Sequence, residues 1–270
     1  MWKRRAIGVL SSLFPGPFTR IAYDRLTNPQ QSRLRENEQQ VLNQARQDDL
    51  IFGGFRIRTY HWPGAGDAVL LIHGWEGQAG NFSDLVGSLR QQGFDVYAFD
   101  APAHGHSSRG RTSPFEFAEL VAVLLRQTGA RKAVSHSFGG VAITYALHQH
   151  RDLALERLAL LTTPDRFSQR IEDVARQVGV SARVHARLLQ RLRNENIDVE
   201  RFNVSDFVQN IQVDSALILH DRNDRVVPVS QSLNVHRHWP ESVFEQIEGT
   251  GHFRILRTPA VLERLTDFLR

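Results

Sequence analysis

Residues 133–141 read Ala133-Val134-Ser135-His136-Ser137-Phe138-Gly139-Gly140-Val141. A short apolar pair runs into a serine with small residues two before and two after it, Ser135 and Gly139, and a helical run to His150 follows. The apolar pair and the helical run place this serine between a strand end and a helix start. Small residues at those two positions let the turn close, because a larger side chain would collide with neighbouring backbone.

On either side of this turn the chain alternates between two textures. Short, continuous apolar runs occur at Ala68–Ile72, Val96–Phe99, Leu158–Leu161 and Ala216–Leu219, as suits strands buried on both faces. Phe55–Tyr60 alternates after the Gly53-Gly54 turn. Between the runs lie helix starts. Asn81 precedes Phe82, Leu85, Val86 and Leu89, and Ser113-Pro114-Phe115-Glu116 combines a capping box with an early proline. Thr258-Pro259 opens a last helix with Leu262, Leu265, Phe268 and Leu269 on one face. Strands alternating with helices predict an α/β fold with a mostly parallel, doubly wound sheet. From about 165 to 210 the alternation breaks into two helical patterns, Ile171, Val174, Ala175 and Val178, then Val184, Leu188, Leu189 and Leu192. The expected organisation is an N-terminal helical extension over 1–50 and a domain over 51–270, with a small helical lid inserted at about 165–210.

The serine turn resembles the G-x-S-x-G nucleophile elbow of the α/β-hydrolase superfamily, with Ser135 in place of the first glycine. Three further motifs carry the resemblance. His73-Gly74-Trp75 follows the run Ala68–Ile72, where the family has its oxyanion-hole turn. The resemblance implies that the backbone N–H groups of Trp75 and Phe138 face the developing alkoxide, each donor being worth about 3 kcal/mol when preorganised. In His220-Asp221-Arg222-Asn223-Asp224-Arg225-Val226-Val227-Pro228, alignment on Val227-Pro228 makes Asp224 the acid and puts Asp221 at the family's glycine position. Asp221 and Asp165 remain the alternatives for the acid. His252, in Gly249-Thr250-Gly251-His252-Phe253, follows the strand-like Val243–Ile247 and stands at the family's place for the base. The order Ser137, Asp224, His252 is the α/β-hydrolase order, and the motifs span about 55–270.

The resemblance implies a serine hydrolase that cleaves a carboxylic ester through an acyl-enzyme. A thioesterase or acyltransferase, a membrane-surface lipase or phospholipase, and a non-catalytic ligand-binding relative are the alternatives. No metal and no organic cofactor are implied. His104 and His106, in the Asp100–Ser107 loop, are read as turn residues because no further ligand motif accompanies them. Trp75, Glu76, Phe138 and the insertion are the expected walls of a pocket for a small-molecule or lipid ester.

Composition removes several other classes. No cysteine is present, which excludes disulfides, a cysteine nucleophile and thiolate metal sites. Basic residues outnumber acidic ones 33 to 29 but are dispersed, apart from Lys3-Arg4-Arg5, so no nucleic-acid partner is expected. The basic start and the apolar stretch Ala6–Phe14 end at Pro15-Gly16-Pro17, far short of the roughly 20 residues that span a bilayer. The expectation is a cytoplasmic protein whose N-terminal helix packs on the domain, with an interfacial membrane anchor or an export segment as the alternatives.

Overall fold

A computed structural model describes residues 2–195 and 197–270. Eight strands follow one another along the described chain. They are β1 (Arg46–Phe52), β2 (Phe55–Trp62), β3 (Ala68–Ile72), β4 (Asp95–Phe99), β5 (Lys132–His136), β6 (Ala154–Leu161), β7 (Gln212–Asp221) and β8 (Val243–Ile247). They form one sheet in the order β1-β2-β4-β3-β5-β6-β7-β8. β1 pairs antiparallel with β2, and β2 with β4; all other pairs are parallel.

The helices are α1 (Trp2–Leu13), α2 (Pro15–Thr27), α3 (Glu36–Asn43), α4 (Ser83–Gln91), α5 (Pro114–Thr128) and α6 (Phe138–Gln149). After them come α7 (Phe167–Val178), α8 (Ala182–Asn194), α9 (Val204–Phe207), α10 (Val229–Arg237), α11 (Gly251–Arg254) and α12 (Pro259–Leu269). Burial of the central strands follows from their composition. Val69 to Ile72 and all of β5 are buried, as expected of parallel strands covered on both faces. Val69, Leu71, Val134, Leu161 and Leu219 share one cluster with Leu42 of α3, Leu85 and Leu89 of α4, and Leu265 of α12. By the two-residue period, Leu70 and Ile72 point to the other face, where α5 and α6 pack on β3. The capping box forms at α5. Ser113 Oγ accepts from Glu116 N at 3.2 Å, and the Glu116 carboxylate accepts from Ser113 N at 2.9 Å.

The chain divides into two compact units, Gln30–Asp165 with Val204–Arg270, and Met1–Pro29 with Arg166–Asn203. The first holds the sheet. The second is helical and joins α1 and α2 to α7 and α8. Val184, Leu188 and Leu192 of α8 are buried, and α8 packs on α1 and α2. The Tyr23 hydroxyl donates to the Glu195 carboxylate, and the Arg191 guanidinium lies 3.5 Å over the Tyr23 ring. Phe167 and Ile171 of α7 are buried, while the side chain of Val174 lies outside the described residues.

This arrangement differs from a helical extension over 1–50. Residues 46–52 are a sheet strand, and only 1–29 share a unit with the insertion. β1 is an edge strand with mostly exposed residues, so it carries none of the apolar signal of a buried strand. Among the described residues, no helix is long and apolar enough to cross a membrane.

Candidate active site

The turn between β5 and α6 brings Ser137 into a backbone conformation that few side chains adopt, with φ 52° and ψ −121°. Such a conformation stores on the order of 1–3 kcal/mol, so the surroundings must enforce it. They do so through close approach. A Cβ on Gly139 would lie 2.4 Å from the carbonyl oxygen of Ile72 and 2.6 Å from that of His73, so only glycine fits there. A Cβ on Gly74 would come within 3.0 Å of the Ser137 Cβ, which shows how near the β3 turn passes to the serine. Ser135 is accommodated two residues before Ser137 because its buried hydroxyl donates to the Ala159 carbonyl at 3.2 Å.

Ser137, His252 and Asp224 come together although 115 and 28 residues separate them along the chain. His252 Nδ1 donates to Asp224 Oδ2 at 2.7 Å, because an ionised carboxylate can only accept. That leaves Nε2 of the neutral ring as an acceptor for the Ser137 hydroxyl, 3.1 Å away. The other oxygen of Asp224 accepts from the Val226 and Val227 amides at 2.7 and 3.0 Å. Burial pulls this carboxyl upward, but the hydrogen bond and charge of His252 and the two amides hold it below the ordinary aspartate range.

The two alternative acids serve elsewhere. Asp165 accepts from Ser205 N at 2.8 Å and from the Asn234 amide at 2.5 Å. Asp221 is fully buried and binds the loop that carries His252. Its Oδ2 accepts from Thr250 N, Thr250 Oγ1 and Gly251 N at 2.5, 2.9 and 2.8 Å. Its Oδ1 accepts from Asn223 N at 2.7 Å. Burial raises this carboxyl too, and the amides of Gly251, Asn223 and Thr250 outweigh it and lower it. Sequence reasoning placed Asp221 at a glycine position and as an alternative acid, and did not anticipate its bonds to the loop that carries His252.

A second buried group that sequence reasoning passed over is His136. Its Nε2 donates to the His252 carbonyl at 2.8 Å, and burial, reinforced by the nearby His252, depresses its pKa to about 3. It therefore braces His252 as a neutral ring.

The turn after β3 is fixed by His73, whose Nδ1 donates to the Gly74 carbonyl at 2.7 Å and whose Nε2 accepts from Ala101 N at 3.0 Å. Beyond it, the Trp75 ring meets the Phe138 and His104 rings edge-on, with centroids 5.5 and 5.0 Å apart. Phe138 is the first residue of α6. Glu76 is exposed, has φ 61°, and accepts from Gln30 N at 3.2 Å. The Asp100 loop is structural. Its carboxylate accepts from Ala79 N, His106 N and the Tyr60 hydroxyl at 2.8, 2.7 and 3.1 Å, and a Cβ on Gly105 would strike it. His104 Nδ1 donates to the Pro102 carbonyl at 2.9 Å.

A family model described as alpha/beta hydrolase fold matches residues 67–181, the stretch from β3 through the elbow into the insertion. A structure of Est1E from Butyrivibrio proteoclasticus with bound ferulic acid aligns with a TM-score of 0.66 at 17% identity. That alignment covers 82% of this chain and 97% of the other. The chain has the α/β-hydrolase fold. A thioesterase domain from the curacin biosynthetic pathway shares this fold with a TM-score of 0.63 at 16% identity, over 84% of this chain and 99% of the other.

Curated relatives with higher sequence identity are named as esterases. A pimeloyl-[acyl-carrier protein] methyl ester esterase of Stenotrophomonas maltophilia (strain K279a) is 36% identical over 105 residues, 38% of this chain and 39% of that protein. One from Xylella fastidiosa (strain M12) is 31% identical over 156 residues, 57% of this chain and 58% of that protein. The chain thus spans between about two fifths and three fifths of the length of these curated relatives.

Proposed function

We propose that the protein is a serine hydrolase that cleaves a carboxylic ester through an acyl-enzyme. The observation that carries this reading is the unbroken chain of contacts Ser137 Oγ, His252 Nε2, His252 Nδ1 and Asp224 Oδ2, at 3.1 and 2.7 Å. Ser137 Oγ attacks the ester carbonyl carbon and gives its proton to His252 Nε2. The carbonyl oxygen becomes an alkoxide facing the N–H groups of Trp75 and Phe138. As the carbon–oxygen bond to the alcohol breaks, His252 returns the proton to the leaving oxygen. Water then attacks the acyl-enzyme, yields its proton to His252, and releases the acid as Ser137 recovers that proton. Asp224 holds the tautomer of His252 and stabilises its cationic form.

The names of the curated relatives direct the substrate class toward methyl esters of acyl chains. Phe253 supports an apolar acyl group, being 66% exposed and edge-on to the His252 ring at 4.9 Å. The test is a panel of methyl and p-nitrophenyl esters of graded acyl length, with the matching thioesters, assayed on the full chain and on Ser137→Ala. Turnover of esters by the full chain and its loss in the variant is the expected result. Turnover of thioesters alone would replace the ester reading with that of a thioesterase. Absence of any turnover would favour a non-catalytic relative.

A further inference from the structure

α1 and α2 are turned inside out. In an ordinary surface helix the apolar stripe is buried and the polar face meets water. Here α1 turns its small and polar side inward. Gly8 approaches the Gly179 carbonyl so closely that a Cβ would lie 3.3 Å from it, and the buried Ser11 hydroxyl accepts from Ser181 N at 3.0 Å. α2 buries Pro15, Thr19, Tyr23 and Thr27, a row at four-residue spacing in which three side chains carry hydroxyls. Ile7, Phe18 and Leu26 are half-buried, and five other large apolar side chains are left outside. Val9, Leu10, Leu13, Phe14 and Ile21 are each 48–66% exposed, and they make up five of the nine exposed large apolar side chains among the described residues.

Charge is concentrated in the same segment. The first 23 residues contain Lys3, Arg4, Arg5 and Arg20 and no acidic residue. With 33 cationic and 29 anionic side chains in the whole chain, these four account for its entire excess. We propose that the outward faces of α1 and α2 form a membrane-docking surface that lies in the headgroup region of an anionic lipid bilayer.

Apolar side chains in a segment rich in cations are what such an interface binds, the first entering the acyl boundary and the second meeting lipid phosphates. α1 has 12 residues, so it rises about 18 Å against a hydrocarbon core of about 30 Å and lies in the interface rather than crossing it. A second copy of the chain fits this face poorly, because a two-fold contact would set a segment whose first 23 residues hold four basic residues and no acidic one against itself.

Sedimentation of the full chain with vesicles tests the proposal, using phosphatidylcholine alone and phosphatidylcholine mixed equally with phosphatidylglycerol. Binding to the mixed vesicles at about 0.1 M salt is expected, at least about tenfold tighter than to phosphatidylcholine and weakened near 1 M salt. The double variant Leu13→Glu/Phe14→Glu should lose at least about tenfold in binding, and Arg20→Glu a smaller factor, with helix content unchanged by circular dichroism. If the double variant fails to fold, Arg20→Glu and the salt and lipid series on the unaltered chain decide. No binding to mixed vesicles at the lower salt overturns the proposal, and so does equal binding by a folded double variant. Dimerisation through this face without vesicle binding overturns it as well, as does capture of an acidic carrier protein in place of vesicles.

Discussion

Replacing Asp221 separates two carboxylates that lie three residues apart and do different work. In Asp221→Asn the amide oxygen can keep the position of Oδ2 and its three donors from Thr250 and Gly251. The amide nitrogen then faces the Asn223 N–H, where Oδ1 now accepts at 2.7 Å. One buried hydrogen bond is lost and two donors are set against each other, a penalty of about 1–3 kcal/mol. For a chain of about this size that is a fall of roughly 2–4 °C in Tm for each kcal/mol. Asp221→Ala strands all four donors and should fall further. Because Asp221 touches neither Ser137 nor the His252 ring, kcat for Asp221→Asn should drop only modestly, through a looser His252 loop. Asp224→Asn acts in the opposite sense. It leaves the size unchanged but ends the control of the His252 tautomer, and should lower kcat on the order of 10⁴-fold. Thermal denaturation and kcat and KM on a p-nitrophenyl ester, measured on both variants, form the assay. A collapse of kcat in Asp221→Asn, with Asp224→Asn nearly active, would refute the assignment of the acid.

Acid stability provides a second prediction. Burial depresses the pKa of both His104 and His136 to about 3, so the folded chain holds them neutral while the unfolded chain protonates them below about 6.5. The unfolded state binds more protons in that window, so stability drops by about 1.4 kcal/mol for each ring and each unit by which the pH is lowered. Urea unfolding from about pH 6.5 to 4 should show this slope, and His104→Phe should reduce it. At the elbow, Gly139→Ala should prevent folding or lower Tm severely, because its Cβ strikes the Ile72 and His73 carbonyls. Ser135→Gly should cost about 1 kcal/mol and leave kcat intact, as it removes one buried hydrogen bond, which denaturation and ester turnover would check. In the helical unit, Leu188→Gln should destabilise by roughly 2–5 kcal/mol, since Leu188 is buried in α8, and limited proteolysis should cut residues 166–203 first. A lid role would add altered acyl-length preference to that loss.

The sheet was legible where burial writes directly into composition. Ala68–Ile72 and Val243–Ile247 read as strands with the bounds that β3 and β8 have, and the longer β6 and β7 were found by their apolar cores. β1 was not legible. Its Asp49 pairs with Arg56 and Arg58 of β2 on an exposed edge, so its place depends on the neighbour rather than on its own pattern. The pairing of α1 and α2 with the insertion was hidden for a different reason. These helices bury Ser11, Thr19 and Tyr23, and hydrophobic periodicity therefore points to the wrong face. At the candidate site, Ser137, Asp224 and His252 each lie at a strand end with a local motif, which is why they could be named in advance. The Asp221 clamp joins two loops 29 residues apart, and no local pattern marks such a contact.

The account rests on Ser137 as an activated nucleophile, and covalent labelling reports that property without knowledge of the substrate. The full chain would be treated with a fluorophosphonate at neutral pH and the modified peptide identified by mass spectrometry. Labelling should fall on Ser137 alone, be abolished in Ser137→Ala, and be slowed by orders of magnitude in His252→Ala, which retains the hydroxyl but lacks the base. A folded chain that stays unlabelled, or that reacts at another serine, would contradict the account.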